Sequence, residues 1–243
     1  MLAPDIVSLK EFYATELGES ARIYISSGIH AFWPEAKDEL ILGIGYATPF
    51  LSDYLNNQMI VAACMPANQG AAYWPANRAN LTFLSHESEL PLRENTVNRV
   101  LLVHSVETSE QLSWMLREVW RVLTPGGRVL AVVPNRMGLW ARSSRSPFGY
   151  GLPFSMAQLK GLLSTHDFTL TRSRSALFMP PLRSNILWRL AAKVEILFRN
   201  LCPFFGGVLL VEAEKQVYAA IKQPVAARKF KTVPAARPVM SKN

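Results

Sequence analysis

Cysteine is nearly absent from this chain. Cys64 and Cys202 are the only two in 243 residues. They lie far apart in apolar surroundings, and no CxxC pair occurs. That excludes a disulfide framework and a thiolate zinc site, and no metal site is expected. The first residues, MLAPDIVSLKEFY, lack the apolar core of a signal peptide because Asp5, Lys10 and Glu11 interrupt them. A reducing, cytoplasmic location follows as the expectation. No apolar run is long enough to cross a bilayer. The longest candidate, residues 184–201, is broken by Arg189, Lys193, Glu195 and Arg199. This segment is expected to be a helix packed on the sheet or on a partner copy in a homodimer. Its cations and Trp188 also suit a helix lying at a membrane surface, a peripheral location.

Acidic residues are the scarcer charge, 18 against 26 Lys and Arg, for a net charge of +8. Part of the excess sits in residues 222–243, where Lys222, Arg228, Lys229, Lys231 and Arg237 lie among prolines and alanines. This tail is expected to be disordered. It solubilises the chain or touches an anionic surface such as RNA or lipid.

Apolar residues make up 49% of the chain, enough for one sizeable core. Residues 5–32 read as two helical segments broken near Gly18. Strands are expected at 39–44, 59–64, 81–84, 97–103, 128–133, 168–177 and 207–214. Helices are expected near 49–56, 109–123 and 155–164. Leu112, Leu116, Val119 and Leu123 recur at helical spacing. Pro125, Gly126 and Gly127 read as the turn that closes that helix. Val129 to Val133 is an unbroken apolar run, the mark of a strand covered on both faces. Alternating strands and helices predict an α/β fold with a Rossmann-like, doubly wound, mostly parallel sheet. A single domain over 1–221 is expected, with N-terminal helices at 5–32 and a core at 38–218.

Gly43-Ile44-Gly45-Tyr46-Ala47 follows the first strand and opens a helix. Open α/β sheets bind ligands at the carboxyl ends of their strands, and small residues there admit a ligand close to the backbone. The order of GIGYA, Leu90-Pro91-Leu92, VLLVHSVE at 100–107 and EVWRVLTPGGRVLAVVP at 118–134 resembles the methyltransferase type-11 group. That group lies within the class I superfamily dependent on S-adenosylmethionine (SAM). RVLTPGGRVL is the most specific string and GxG the least. The resemblance covers 38–135 well and extends loosely to about 218.

The resemblance implies a seven-stranded sheet whose last strand is antiparallel, and SAM as cofactor. It implies that Gly43, Gly45 and Ala47 lie beneath the methionine portion of SAM. His86 and Glu87 match the segment that contacts adenine, and His104 and Ser105 match the floor of the methyl-transfer site. Two positions depart from the pattern. Ile41 stands where an acidic residue is usual, and Cys64 and Met65 stand where a carboxylate usually holds the ribose. Met65 then lies against the cofactor, and Asn68 or Gln69 becomes an alternative ribose anchor.

Methyl transfer needs alignment more than a catalytic group, and a base only where the acceptor must lose a proton. His104 is the candidate base, since imidazole titrates near neutral pH. Glu107 reads as solvated or helix-capping, and His30 and His166 as surface residues. Tyr13 and Arg22 either pack helices or cover the site. The loop at 135–154 mixes Arg136, Arg142 and Arg145 with Trp140, Phe148 and Tyr150, which suits a small-molecule or lipid-like acceptor with an anionic group and an apolar or aromatic body. A non-catalytic methyltransferase-like binding protein is the alternative, motivated by the missing carboxylates. An RNA or protein methyltransferase is another, motivated by the basic tail. A nicotinamide-dependent oxidoreductase fits less well, because the third glycine and the ribose acid of that fingerprint are missing.

Overall fold

The computed structural model describes residues 4–34, 38–55, 59–181, 201 and 203–216. The apolar segment at 184–201, apart from Leu201, and the basic tail lie outside the described residues.

The chain opens with helices α1 (Ile6–Tyr13) and α2 (Glu16–Phe32). The break falls at Ala14 and Thr15, not at Gly18. Thr15 caps α2 by accepting from the Gly18 N–H at 3.0 Å. Gly18 itself lies in the first turn, pressed against the Phe12 carbonyl where a Cβ would collide.

Then come β1 (Leu40–Gly45), a short helix α3 (Thr48–Leu51), β2 (Ile60–Pro66), β3 (Thr82–Ser85) and β4 (Val97–Val103). The helix expected near 49–56 is thus one turn, continued by a 3₁₀ turn over Ser52–Tyr54. Next are α4 (Leu112–Val122), β5 (Leu123–Pro134), α5 (Met156–Thr165), β6 (Phe168–Ala176) and β7 (Val208–Lys215). Ser155 and Gln158 form a reciprocal cap at the start of α5.

The seven strands form one sheet in the order β3-β2-β1-β4-β5-β7-β6. β1 to β5 pair in parallel, and β7 runs antiparallel between β5 and β6. One apolar layer packs beneath α1, α2 and α3 and includes Ile25, Ile29, Trp33 and Phe50. The other packs beneath α4 and α5 and includes Met115, Val119, Leu159 and Leu163. β1, β4 and β5 are covered on both faces, which explains their nearly continuous apolar runs.

Pro125-Gly126-Gly127 does not close α4. The helix ends at Val122, and Leu123 is already extended and paired with Val97. Pairing resumes at Arg99 with Arg128, so Thr124 to Gly127 bulge out of β5. Gly126 takes φ +74° at this bulge, a backbone angle that glycine adopts without strain. The Lys215 ammonium, 4.1 Å above the Trp120 ring, donates to the Leu123 carbonyl at 2.6 Å and to Asn95 Oδ1 at 2.7 Å. The end of β7 thereby pins the start of β5.

A buried carboxylate joins the first helices to the sheet. Glu212 on β7 accepts from Trp33 Nε1 at 2.8 Å, Thr171 Oγ1 at 2.7 Å and Arg172 Nε at 3.0 Å. Arg172 also donates to the Phe32 carbonyl at 2.6 Å. Among the described residues, no helix is long and apolar enough to cross a membrane. No cluster of His, Cys, Asp or Glu among them could hold a metal ion.

Candidate functional site

The carboxyl ends of β1, β2 and β4 meet at one place. Gly45 closes β1 with φ +84° and lies against the Val103 carbonyl, where any Cβ would collide. The Tyr46 N–H donates to that carbonyl at 2.9 Å. The GxG turn therefore serves the close approach of β1 to β4 as well as any ligand. Gly43 faces Ala47 and Leu51, so Ala47 packs inside the turn.

His104 follows β4 with φ +50°, an uncommon angle for a residue other than glycine. Side chains from three other places hold it there. Gln69 Nε2 and Thr108 Oγ1 donate to its carbonyl at 2.9 and 3.2 Å. Tyr13 Oη lies 2.8 Å from Nε2, and Glu107 Oε1 lies 3.2 Å from Nδ1. The His104 and Glu107 side chains are each 1% exposed. Burial, then the Glu107 charge, pushes the Tyr13 phenol well above its usual range, so Tyr13 keeps its proton and donates to Nε2. With Tyr13 donating to Nε2, Nδ1 is the ring nitrogen that faces the Glu107 carboxylate. Glu107 is not solvated, as its place in the sequence suggested; the turn at His104 folds it back beneath the ring.

Helix α1 lies across this region. Its first N–H, on Ile6, donates to the Gln69 carbonyl at 2.8 Å, and its last residue, Tyr13, reaches His104. Tyr13 also packs on Tyr46 and Phe50, with ring centroids 5.6 and 5.7 Å apart. Phe148, from the loop after β5, packs on His104 at 4.8 Å. Arg22 does not join the site; it forms a bidentate pair with Glu19.

Three buried polar atoms here have no hydrogen-bond partner among the described residues: Gln69 Oε1, Ser105 Oγ and Glu107 Oε2. A buried unpartnered polar atom costs about 1–3 kcal/mol. Three of them lie around one histidine, and each calls for a partner that the described residues do not supply. At the end of β2, Cys64 and Met65 are both buried. Burial pushes the Cys64 thiol up to about 12. Met65 Sδ accepts from the Ala72 N–H at 3.1 Å. The polar side chain that returns to the site is Gln69.

Of the other residues singled out in the sequence, His86 is exposed and bonds Ser88 Oγ at 2.7 Å. Glu87 is buried and accepts from the Gln111 N–H at the start of α4. Both line a cavity of about 50 Å³ together with Ala67, Asn68, Glu110 and Gln111. Arg136 is exposed and donates to the Pro153 carbonyl, while Tyr150 is half-buried. Trp140 is 1% exposed, and its Nε1 donates to the Met179 carbonyl. His30 stacks on Tyr54 at 5.4 Å rather than lying free on the surface. Phe148 belongs to the loop expected to shape the acceptor site, and it packs on His104; the tie between Tyr13 and His104, 91 positions apart, has no local sequence signal.

Residues 42–131 match the family model of the methyltransferase domain. No curated protein sequence matches the chain. Among solved structures, a SAM-dependent methyltransferase from Thermotoga maritima is 13% identical with a TM-score of 0.61, over 87% of this chain and 96% of that one. The 1,6-didemethyltoxoflavin-N1-methyltransferase of Burkholderia thailandensis is 17% identical with a TM-score of 0.56, over 87% and 85%. The [4+2]-cyclase SpnF is 18% identical with a TM-score of 0.59, over 84% of each chain. These likenesses share the fold. Together with the matched domain, they show what the chain is similar to, methyltransferases of this fold.

Proposed function

We propose that this protein is a SAM-dependent methyltransferase acting on a small-molecule or lipid-like acceptor. The observation that carries this reading is the group of unpartnered atoms on Gln69, Ser105 and Glu107 beside the Gly45 turn. Two are acceptors and one is a hydroxyl, which suits the ribose hydroxyls and the ammonium of SAM. Glu107 Oε2 supplies a charge-assisted contact near the site that lacks one at Cys64 and Met65. The adenine is assigned to the small cavity between Asn68 and Gln111. SAM, when bound, supplies an electrophilic methyl carbon.

The chain's own residues then position and deprotonate. Tyr13 offers its phenol oxygen to the acceptor's proton while giving its own proton to His104 Nε2. Glu107 steadies the charge that forms on the ring. Such a relay serves an acceptor with an acidic O–H or N–H group. The loop bearing Arg136 and Tyr150 faces the acceptor in this reading. The protein works in the cytoplasm, peripherally at the membrane.

Incubation with methyl-tritiated SAM and a cell extract is the test. The expected outcome is label in an organic product of low mass. Label only in RNA or protein would redirect the reading to a macromolecular acceptor. A second reading, a non-catalytic binding protein, draws on the absence of a carboxylate at 64–65. Binding of SAM with no labelled product under any condition would favour it.

A further inference from the structure

Five large apolar side chains crowd the loops at one end of the sheet and stand in solvent. Met137 is 50% exposed, Leu139 56%, Leu152 72%, Phe204 78% and Phe205 54%. Hydrogen bonds hold these loops together. Asn135 Nδ2 donates to the Phe204 and Gly206 carbonyls at 2.8 and 2.7 Å. Asn135 Oδ1 accepts from the Met137 N–H, and the Arg136 N–H donates to the Phe154 carbonyl. Gly138 packs directly on the Gly206 carbonyl. The side chains thus form one fixed patch, and monomeric proteins seldom expose a contiguous apolar surface without using it.

Beneath Met137 and Phe204 opens a cavity of about 340 Å³ whose walls include Met156, Leu209, Lys160 and Arg174. None of the described residues lining it is acidic. Neither Lys160 nor Arg174 has an ion pair with another described residue. Arg136, next to Met137 in the chain, is exposed. An apolar tip above a cavity lined by Lys160 and Arg174 is complementary to a bilayer with anionic headgroups.

We propose that this patch docks the protein on an anionic membrane, with Met137, Leu139, Phe204 and Phe205 entering the acyl boundary and Lys160 and Arg174 facing lipid phosphates. The proposal deepens the peripheral location given above and does not depend on methyl transfer. Co-sedimentation of the full chain with phosphatidylcholine vesicles, with and without phosphatidylglycerol, tests it. The wild type is expected to bind the anionic vesicles, less at high salt. The double variant F204S/F205S should lose binding at least about tenfold, from the lost apolar area. K160E/R174E should abolish the preference for phosphatidylglycerol. Both variants should keep the wild-type melting temperature and the wild-type response to S-adenosylhomocysteine, which separates this test from that of the cofactor site. Failure of the wild type to bind anionic vesicles would overturn the proposal, as would unchanged binding of F204S/F205S. So would a dimer in sedimentation velocity that F204S/F205S dissolves without any vesicle binding, because the patch would then be a subunit interface.

Discussion

Tyr13→Phe is expected to lower the rate of methyl transfer by about 10²–10⁴, the usual contribution of a positioned acid or base. Among the described residues the phenol is the donor on His104 Nε2, at 2.8 Å, and burial keeps it protonated. Phenylalanine keeps the packing on Tyr46 and Phe50 and removes only the oxygen. The acceptor's proton then has no route to the ring. The variant also leaves a buried ring nitrogen without its donor, which costs about 1–3 kcal/mol of stability. Affinity for S-adenosylhomocysteine should change little, since the cofactor contacts lie on Gln69, Ser105 and Glu107. The check is turnover, measured as a function of pH, against a parallel binding titration. Full turnover in Tyr13→Phe would mean that Tyr13 only packs α1 onto the sheet.

Glu212→Ala is expected to destabilise the fold by about 3–5 kcal/mol, because it leaves the buried Trp33 Nε1 without an acceptor, removes the Thr171 and Arg172 contacts, and opens a cavity. Its carboxylate is fully buried. It accepts from Trp33, Thr171 and Arg172, and these groups would lose it together. For a chain of this size, each kcal/mol corresponds to about 2–4 °C in melting temperature. Calorimetry should therefore show a drop of about 6–20 °C. A drop of less than about 2 °C would show that water replaces the carboxylate without penalty.

The pH dependence has a definite sign. Burial alone would raise the Glu212 carboxyl, but hydrogen bonds from Arg172, Thr171 and Trp33 outweigh it and hold the group below its usual range. A depressed carboxyl stabilises the fold above its unfolded value and loses that contribution as pH falls through its folded value. Glu212→Gln should accordingly lose less stability between neutral and acid pH than the wild type does.

Much of the fold was legible in the sequence. The nearly continuous apolar runs at β1, β4 and β5 mark strands covered on both faces, and the antiparallel end of the sheet followed from the family resemblance. Pro125-Gly126-Gly127 was misread for a physical reason. A helix followed by Pro-Gly-Gly carries every local mark of a helix stop, whereas the bulge depends on Leu123 pairing with Val97 across the sheet. The site was legible in its backbone and less so in its side chains. Gly45, His104 and Ser105 stand out by motif. Glu107 reaches the imidazole only because His104 takes a left-handed angle, which no pattern of residue types discloses. Gln69 was visible as a polar residue after β2, but its role as the tie to the His104 carbonyl needs the packed loop.

Calorimetric titration with S-adenosylhomocysteine tests the central claim most directly. The wild type should bind with an affinity on the order of micromolar, about 8 kcal/mol. Glu107→Gln and Gln69→Leu should each weaken binding at least about tenfold while leaving the protein folded. Gly45 is unsuited to this test, because a side chain there would strike the Val103 carbonyl whether or not a ligand binds. Saturable binding lost in both variants would place the cofactor at the unpartnered atoms around His104. Folded wild-type protein that shows no heat of binding at millimolar ligand would contradict the account.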